Sequence, residues 1–307
     1  MTRRRLLLLA VTSAFAAAVA FAAAFSKGGP SSTARGPLRV VAAENFWGSI
    51  ASQLGGGRVQ VTSIVTDPAT DPHDYEPTSG DARAIADAKL VVVNGVGYDP
   101  WAPKLVAANP VPGRVVLTVG ELAGIKAGGN PHRWYSPANV RAVAAAITRD
   151  YERLDPRDAA FFTRAGRRFQ QEALAGYGKE IASIRRRFAG VPVGASESIF
   201  VPLAQALRLD LVTPRAFLDA VSEGTEPTAA DLTTIDRQIA ARRIAVWVYN
   251  SQNSTPDVQR LTAAARRRGI PVTTITETLT PPTSTFQSWQ LRQLRQLAAA
   301  LTRSTAG

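Results

Sequence analysis

The segment that decides the fold is Asp158–Phe188, with the sequence DAAFFTRAGRRFQQEALAGYGKEIASIRRRF. It contains no proline, and its apolar residues recur every three or four positions, as they do along one face of a helix. These positions are Phe161, Phe162, Ala165, Phe169, Ala173, Tyr177, Ile181 and Ile184. Gly190 and Pro192 follow as stop signals. The pattern predicts one long helix over 158–188.

Short β-rich runs alternate with helical patterns on both sides of this helix. The predicted strands are Leu38–Ala43, Val59–Val65, Leu90–Asn94 and Val115–Val119 before it, and Val191–Ala195, Leu211–Val212, Ile244–Tyr249 and Ile270–Thr276 after it. Such alternation is typical of parallel sheets. We therefore predict an α/β fold with two lobes, residues 37–154 and 190–303, joined by a rigid helix within 155–189. Because ligands bind at the carboxyl ends of parallel strands, we expect a ligand cleft between the lobes.

The first 25 residues have the pattern of an export signal. Arg3–Arg5 precede an apolar run, Leu6–Phe25, that is rich in leucine and alanine. The run is long enough to span a bilayer, so both a cleaved signal peptide and an uncleaved N-terminal anchor fit it. Residues 26–36 predict a flexible linker. We expect the rest of the chain to lie outside the cytoplasm, in the periplasm or at the cell surface.

Composition narrows the classes of function. The 307 residues include no cysteine and two histidines, so any metal site must use histidine, aspartate, glutamate or solvent. The net charge is +12, but the arginines are spread through helical patterns and belong to no nucleic-acid-binding motif. We expect a solvated basic surface with some attraction to anionic lipid headgroups, and no nucleic-acid partner.

Both histidines lie in loops that follow a predicted strand. His73 lies in DPHDYEP, residues 71–77, and His132 lies in NPHRWYSP, residues 130–137. A proline directly precedes each histidine and stiffens its backbone. A fixed imidazole loses less entropy when it binds a metal ion. The pattern favours His73 and His132 as metal ligands, although two surface histidines without function would also fit it.

The second lobe offers two carboxylates in equivalent positions. Glu197 and Glu277 each follow a predicted strand directly. Either one alone fits a carboxylate at a helix start. Together with two neutral imidazoles, they would form a four-ligand site that neutralises a divalent ion. Asn45 and Asn250, at strand–helix junctions, fit either a turn or cap role or an outer donor that orients a ligand.

These motifs resemble those of a known family. The matching stretches are VAAENFWG (41–48), DPHDYEP (71–77), Asn94–Tyr98, NPHRW (130–134) and TETLTP (276–281). Over residues 38–302 the chain resembles the zinc/manganese substrate-binding proteins of ABC importers, the metal-binding lipoproteins and adhesins of cluster A-I. The resemblance implies a monomer without catalytic activity. It would hold one divalent transition metal ion between two lobes and deliver it to a membrane permease with its ATPase.

The resemblance also implies a ligand set. His73 and His132 match the two histidine ligands of the family. Glu197 matches a third ligand that is histidine in zinc proteins and glutamate in manganese-type proteins, and Glu277 stands where the family usually has aspartate. The chain lacks the His-rich loop of many zinc members and the lipoprotein cysteine. The choice between zinc and manganese therefore stays open.

Three other functions compete with metal capture. A metallohydrolase would need an open coordination position, and its usual His-Glu-x-x-His helix is absent. A binding protein for a chelated or organic solute, of the siderophore or haem type, would need a wide pocket lined with aromatic residues or arginines. Nothing beyond the N-terminal apolar run favours a surface adhesin.

Overall fold

The structure, a computed structural model, describes residues 36–305. The signal or anchor predicted for residues 1–25 and the linker predicted for 26–36, apart from Gly36, lie outside these residues. Pro37–Gly307 form a compact unit, and both hydrophobic clusters of the described residues lie within it. This segment therefore carries its own core. None of the helices within 36–305 is both long enough and apolar enough to cross a membrane.

Two four-stranded sheets form the framework. Their strands are β1 (Leu38–Glu44), β2 (Val59–Val65), β3 (Leu90–Val93) and β4 (Val115–Thr118), then β5 (Pro192–Ala195), β6 (Asp210–Leu211), β7 (Val246–Asn250) and β8 (Val272–Ile275). The orders are β2-β1-β3-β4 and β6-β5-β7-β8, and every neighbouring pair is parallel. The same topology thus occurs twice, which confirms the predicted two-lobed α/β fold.

Helices connect the parallel strands. They are α1 (Asn45–Gly55), α2 (Ser79–Asp87), α3 (Trp101–Ala108), α4 (Val119–Leu122), α5 (Pro137–Leu154), α6 (Ala159–Arg168), α7 (Ala175–Phe188), α8 (Val201–Leu207), α9 (Arg215–Ser222), α10 (Ala229–Ala240), α11 (Pro256–Arg267) and α12 (Phe286–Thr305). Several begin where the sequence places a cap. Thr78 and Asp81 form a reciprocal capping box at α2, and Ser136 caps α5 with Pro137 at the first helical position.

The helix predicted over 158–188 is present as one helical run with a π turn inside it. Between α6 and α7, residues Phe169–Ala173 are π-helical. The Leu174 N–H there donates to the Phe169 carbonyl, five residues back instead of four. The turn takes up one extra residue, so that the apolar faces of α6 and α7 both point into the core.

One hydrophobic core spans both sheets. Its buried residues include Val40 and Leu90 of the first sheet together with Val193 and Trp247 of the second. The tryptophans at 47, 101, 134 and 289 are at most 6% exposed, as expected for packing residues. Contiguous apolar packing across both sheets fixes the position of one lobe against the other.

A polar seam on α1 also joins the lobes. Asn45, Ser49 and Gln53 are four residues apart and therefore share one face of the helix. The Asn45 Oδ1 accepts a hydrogen bond from the Leu279 N–H at 3.1 Å, and the Ser49 Oγ accepts one from the Phe286 N–H at 2.9 Å. The Gln53 and Gln287 amides donate to each other at 3.1 and 2.7 Å. We term Asn45, Ser49 and Gln53 the α1 seam.

Candidate metal centre

The loops that carry the predicted ligands leave the carboxyl ends of the strands. His73 follows β2, and His132 follows β4 and the short helix α4. Glu197 follows β5, and Glu277 follows β8. Because all strands of a sheet run parallel, their carboxyl ends share one edge, and loops that are distant in sequence meet there.

Three of the four predicted ligands come together. His132, Glu197 and Glu277 each place one ligand atom within 4.8 Å of the other two. The His132 Nε2 lies 3.6 Å from the Glu197 Oε1. All three side chains are buried, the most exposed being Glu277 at 8%. We term these three residues the metal cluster. It takes its imidazole from one lobe and its two carboxylates from the other.

Asn130 orients the His132 imidazole. Its Oδ1 accepts hydrogen bonds from the His132 backbone N–H at 2.9 Å and from the ring Nδ1 at 3.1 Å. Its amide nitrogen donates to the Ser198 carbonyl at 2.7 Å, which identifies the oxygen and nitrogen of the side chain. The proton of the neutral ring is therefore assigned to Nδ1, and the lone pair of Nε2 faces the carboxylates.

The His132 Nε2 is an orphaned acceptor. It is buried and has no hydrogen-bond partner among the described residues. The nearest polar atom of the cluster, the Glu197 Oε1, is also an acceptor when ionised. Two buried acceptors that face each other without a donor are costly, and a cation between them would satisfy both. The donor set of one nitrogen and carboxylate oxygens fits a divalent transition metal.

Two neutral donors hold the carboxylates in place. The Asn250 amide nitrogen donates to the Glu197 Oε2 at 2.7 Å and to the Glu277 Oε1 at 2.9 Å. The Tyr98 hydroxyl donates to the Glu277 Oε2 at 2.7 Å. Each carboxylate keeps a free lone pair for an ion, while its orientation is fixed by groups that carry no charge.

Burial sets the protonation of the metal cluster. It raises the pKa of Glu197 well above its usual range, and the charge of Glu277 raises it further. Burial also raises the pKa of Glu277, against the hydrogen bond from Tyr98, which lowers it. Burial lowers the pKa of His132 well below its usual range, so this ring is neutral. Two crowded carboxyl groups and a neutral imidazole are the charge arrangement that a dication would stabilise.

His73 lies beside the metal cluster, not within it. Its ring packs edge-on against Tyr98, with the centroids 4.9 Å apart, and its side chain is 31% exposed. The Asp71 Oδ1 accepts hydrogen bonds from the His73 backbone N–H and from the ring Nδ1, both at 2.9 Å. This geometry repeats the Asn130–His132 pair, and the His73 Nε2 has no hydrogen-bond partner among the described residues.

Three cavities meet at His73, the third of them, of 470 Å³, beside Tyr75 and Trp101. One, of 570 Å³, is lined by His73, Gly97 and Arg215 among others. The second, of 220 Å³, is lined by His73, Gln252 and Glu277 among others. His73 therefore stands between open space and the buried carboxylates. Glu277 lines the second cavity as well.

The two asparagines have different roles. Asn250 contacts both carboxylates directly, as an outer donor that orients ligands would. Asn45 contacts none of the four predicted ligands among the described hydrogen bonds. Its amide nitrogen donates to the Thr66 carbonyl at 3.4 Å, and its oxygen accepts from Leu279, so it ties the loop that leads to His73 to the loop that follows Glu277.

Tyr98 is the main site residue that the sequence analysis did not single out. It follows the segment Gly95–Gly97, whose three φ angles, 72°, 58° and 80°, are all left-handed. Glycine adopts this conformation readily, whereas Val96 is strained in it. The Asp99 carboxylate holds the loop by accepting hydrogen bonds from the Asn94 and Gly95 N–H groups, both at 2.7 Å. This loop conformation places the Tyr98 side chain in the hydrophobic core.

Asp71 and Asn130 were also missed as imidazole anchors, although the sequence contains a signal for them. Each precedes its histidine by two residues, in Asp-Pro-His and Asn-Pro-His. Aspartate and asparagine side chains commonly accept a hydrogen bond from the backbone two residues further on. The same oxygen reaches the ring nitrogen of that histidine. An Asx-Pro-His motif thus predicts both the anchor and the tautomer.

The fold and the site together define the class of two-lobed substrate-binding proteins. Residues 40–300 match the family described as "Zinc-uptake complex component A periplasmic", and the chain belongs to that family. It is 25% identical over 267 residues to the metal ABC transporter substrate-binding lipoprotein FimA of Streptococcus parasanguinis, which covers 80% of this chain and 81% of that protein. It is 24% identical over 256 residues to the manganese ABC transporter substrate-binding lipoprotein PsaA of Streptococcus pneumoniae, covering 76% and 78%.

Solved structures share the fold. The Mn-bound periplasmic metal binding protein of Candidatus Liberibacter asiaticus superposes with a TM-score of 0.71 at 19% identity, covering 85% of this chain and 98% of that one. A crystal structure of ZnuA superposes with a TM-score of 0.68 at 20% identity, covering 88% and 98%. The two-lobed architecture is therefore that of periplasmic metal-binding proteins.

Proposed function

We propose that this chain captures one divalent transition metal ion, zinc or manganese, outside the cytoplasm and delivers it to the permease of an ABC importer. The observation that carries the proposal is the metal cluster, in which the orphaned His132 Nε2 faces two buried carboxylates. Membership of the zinc-uptake family supports it independently. The chain would bind its ion and release it unchanged, without catalysis.

In this proposal His73 is the fourth ligand. Its Nε2 has no hydrogen-bond partner within residues 36–305, and it lines the cavities through which the ion would enter. A small movement of its loop would close the coordination shell once the ion had bound to His132, Glu197 and Glu277. The shell would then contain two neutral imidazoles and two carboxylates, and its charge would balance that of the ion.

The geometry of the metal cluster favours neither zinc nor manganese by itself. Carboxylate ligands tolerate manganese, and a four-ligand nitrogen–oxygen site also suits zinc, which most sites bind more tightly than manganese. The named relatives include a manganese lipoprotein and an "Iron-binding protein YfeA" of Yersinia pestis, 28% identical over 179 residues and covering 55% of each chain. Cargo in the cell then depends on metal supply as well as on the site.

A chelated or organic solute is the second candidate, because the 570 Å³ cavity could hold one. Neither Glu197 nor Glu277 lines that cavity. An organic solute there would leave the buried carboxylates uncompensated, so we favour a bare ion.

The proposal is tested by metal content. Pro37–Gly307 is loaded with zinc and manganese in competition and freed of unbound ions, and the metal is counted by mass spectrometry. We expect one ion per chain. Glu197→Gln should lose stoichiometric metal, because it removes a charged ligand without removing volume. The exposed Glu226→Gln, which lines neither cavity beside the metal cluster, is the matched control and should keep the ion.

The His73→Ala/His132→Ala double variant tests the imidazole ligands in the same assay. It should bind no stoichiometric metal. An ion that both this variant and Glu197→Gln retain at full stoichiometry would overturn the site. If the wild-type chain bound no metal, the proposed ligand would instead be an organic solute.

A further inference from the structure

Ten exposed arginines lie at the amino edge of the second sheet, the edge opposite the metal cluster. They are Arg185, Arg186, Arg187, Arg208, Arg242, Arg243, Arg266, Arg267, Arg268 and Arg303. We term this set the basic edge. In a parallel sheet each helix returns the chain to the amino end of the next strand, so helix ends and strand starts meet at one edge. The ten arginines occupy these connections, before β5, β6, β7 and β8, and the last turn of α12.

Hydrogen bonds between the connections confirm that they lie side by side. The Gly190 N–H, before β5, donates to the Arg208 carbonyl at 2.8 Å, before β6. The Arg242 side chain, before β7, donates to the Arg268 carbonyl at 2.9 Å, before β8. The Arg187 side chain donates to the Thr302 hydroxyl of α12 at 3.0 Å. The arginines thus share one surface, although they are far apart in sequence.

The charge of the basic edge is not compensated. In the segments 185–192, 207–211, 240–246, 266–272 and 301–305, the sole acidic residue is Asp210. None of the ten arginines has an ion-pair partner among the described residues, whereas Arg39, Arg58, Arg153, Arg215 and Arg260 each pair with an aspartate. An arginine at a helix carboxyl end interacts favourably with the helix dipole. That effect does not account for three consecutive arginines at both 185–187 and 266–268.

The shape of the basic edge fits a broad anionic surface better than a small anion. Neighbouring strands are about 4.8 Å apart, so four strand starts extend over roughly 15 Å. The two cavities beside the metal cluster are lined by none of these arginines. Many guanidinium groups that point outward from a face can each approach a different headgroup.

We propose that the basic edge docks this domain on a membrane surface rich in anionic phospholipid. The sequence places an apolar run, Leu6–Phe25, before the domain, with only residues 26–36 between them. An exported chain with that segment is delivered to a membrane, where each arginine close to the surface adds to the electrostatic attraction. Anionic lipid is thus an abundant anionic partner at the surface to which this chain is delivered.

Docking by the basic edge would orient the metal centre. The basic edge lies at the amino ends of β5–β8, and Glu197 and Glu277 lie at their carboxyl ends. A domain held by its basic edge therefore turns these carboxylates away from the lipid, which suits capture of an ion from the surrounding medium. Delivery to a permease in the membrane would need release from this orientation. This consequence rests on the proposed function, whereas the lipid contact itself does not.

The test compares two variants with the same loss of charge. Arg185→Gln/Arg186→Gln/Arg266→Gln/Arg267→Gln removes four arginines of the basic edge whose side chains make no hydrogen bond among those described. Arg149→Gln/Arg164→Gln/Arg167→Gln/Arg168→Gln removes four exposed arginines from α5 and α6. Pro37–Gly307 in each form is sedimented with phosphatidylcholine vesicles that contain or lack phosphatidylglycerol, at low and high salt.

We expect the wild-type domain to bind only the vesicles that contain phosphatidylglycerol, and high salt to reverse the binding. The basic-edge variant should lose about tenfold or more in partitioning, and the α5/α6 variant should partition like the wild type. Equal losses in the two variants would mean that net charge alone attracts the domain, and would overturn the proposal. So would a wild-type domain that binds no anionic vesicle, or one that inorganic phosphate displaces at constant ionic strength. Metal content should be the same in all three proteins, which separates this test from that of the proposed function.

Discussion

At the scale of single residues, the proposed metal centre depends on uncharged groups that orient the ionisable ones. Tyr98 and Asn250 fix the two carboxylates, while Asn130 fixes the imidazole of His132. Outer groups of this kind commonly change metal affinity by about ten- to a hundredfold when they are removed. The ligands alone therefore do not define the site.

Tyr98→Phe isolates one such group. The variant loses the hydroxyl that donates to the Glu277 Oε2 and keeps the ring against His73. We expect zinc affinity to fall about tenfold, measured by competition with a chelator of known affinity. Tyr151→Phe is the matched control, because it loses a buried hydroxyl whose partner is the Ala51 carbonyl in the core. Similar affinities for the two variants would contradict a role for Tyr98 in positioning Glu277.

Glu44 offers a prediction about pH. It is fully buried, and neither of its carboxyl oxygens has a partner that donates to it among the described residues. Burial raises the pKa of Glu44 well above its usual range, and the neighbouring Asp99 raises it further. Burial likewise raises the pKa of Asp99 to about 6. We therefore expect folded Glu44 to keep its proton over a pH range in which the unfolded chain has already lost it.

Glu44→Gln tests this. Glutamine has nearly the same shape as protonated glutamate and cannot ionise. In the unfolded wild type, Glu44 ionises once the pH exceeds the ordinary pKa of glutamate, whereas in the folded chain it stays protonated up to its raised pKa. The free energy of unfolding of the wild type therefore falls as the pH rises between these two pKa values. The variant has no ionisable group at this position and does not show this fall. The free energy of unfolding, measured in urea at several pH values, should shift in favour of the variant by up to about 1.4 kcal/mol per pH unit in that window. The exposed Glu223→Gln should follow the wild type. Parallel pH profiles for Glu44→Gln and the wild type would show that Glu44 is ionised in the folded chain.

Most residues of the proposed metal centre could be predicted from the sequence, for a physical reason. Glu197 and Glu277 follow strands directly, and parallel strands present their carboxyl ends at one edge, so their meeting with His132 could be predicted. Tyr98 could not, because it reaches Glu277 through a left-handed loop and a contact across 179 residues. The position of His73 outside the metal cluster also depends on loop geometry that no periodicity encodes.

At the scale of elements, helices with a side-chain cap were predictable, whereas the uncapped helices α3, α4 and α9 were not. Thr78, Ser136 and Thr228 mark the starts of α2, α5 and α10, and each accepts a hydrogen bond from its helix. The helices α3 and α9 follow prolines and have no side-chain cap, so they gave no start signal. The π turn between α6 and α7 could not be predicted from the sequence either, because the apolar spacing of a helical segment tolerates one extra residue.

The α1 seam gives a prediction at this scale. Ser49→Ala/Gln53→Ala removes the acceptor for the Phe286 N–H and the amide pair with Gln287. We expect the chain to lose about 1–3 kcal/mol of unfolding free energy and the Phe286 amide to exchange faster with solvent. Thr233→Ala/Thr234→Ala, whose hydroxyls bond only within α10, is the control. Unchanged exchange at Phe286 in the seam variant would argue against the seam as a link between lobes.

At the scale of the whole molecule, the two lobes share one core. Because the larger hydrophobic cluster includes residues of both sheets, we expect Pro37–Gly307 to unfold in a single cooperative transition. A bound ion stabilises only the folded chain, by about 2.7 kcal/mol at a hundred times Kd. Calorimetry with zinc and with a chelator should show one peak that moves as a whole. Two peaks, of which zinc moves only one, would contradict a shared core and a site between the lobes.

The most direct measurement of the central claim is X-ray absorption at the zinc edge of the loaded domain. We expect a shell of nitrogen and oxygen at about 2.0–2.1 Å that includes two imidazoles. His73→Ala should leave one imidazole in the shell, and His132→Ala should abolish stoichiometric binding. A wild-type shell of light atoms without imidazole scattering, unchanged by either substitution, would show that the ion binds elsewhere and that the metal cluster is not the site.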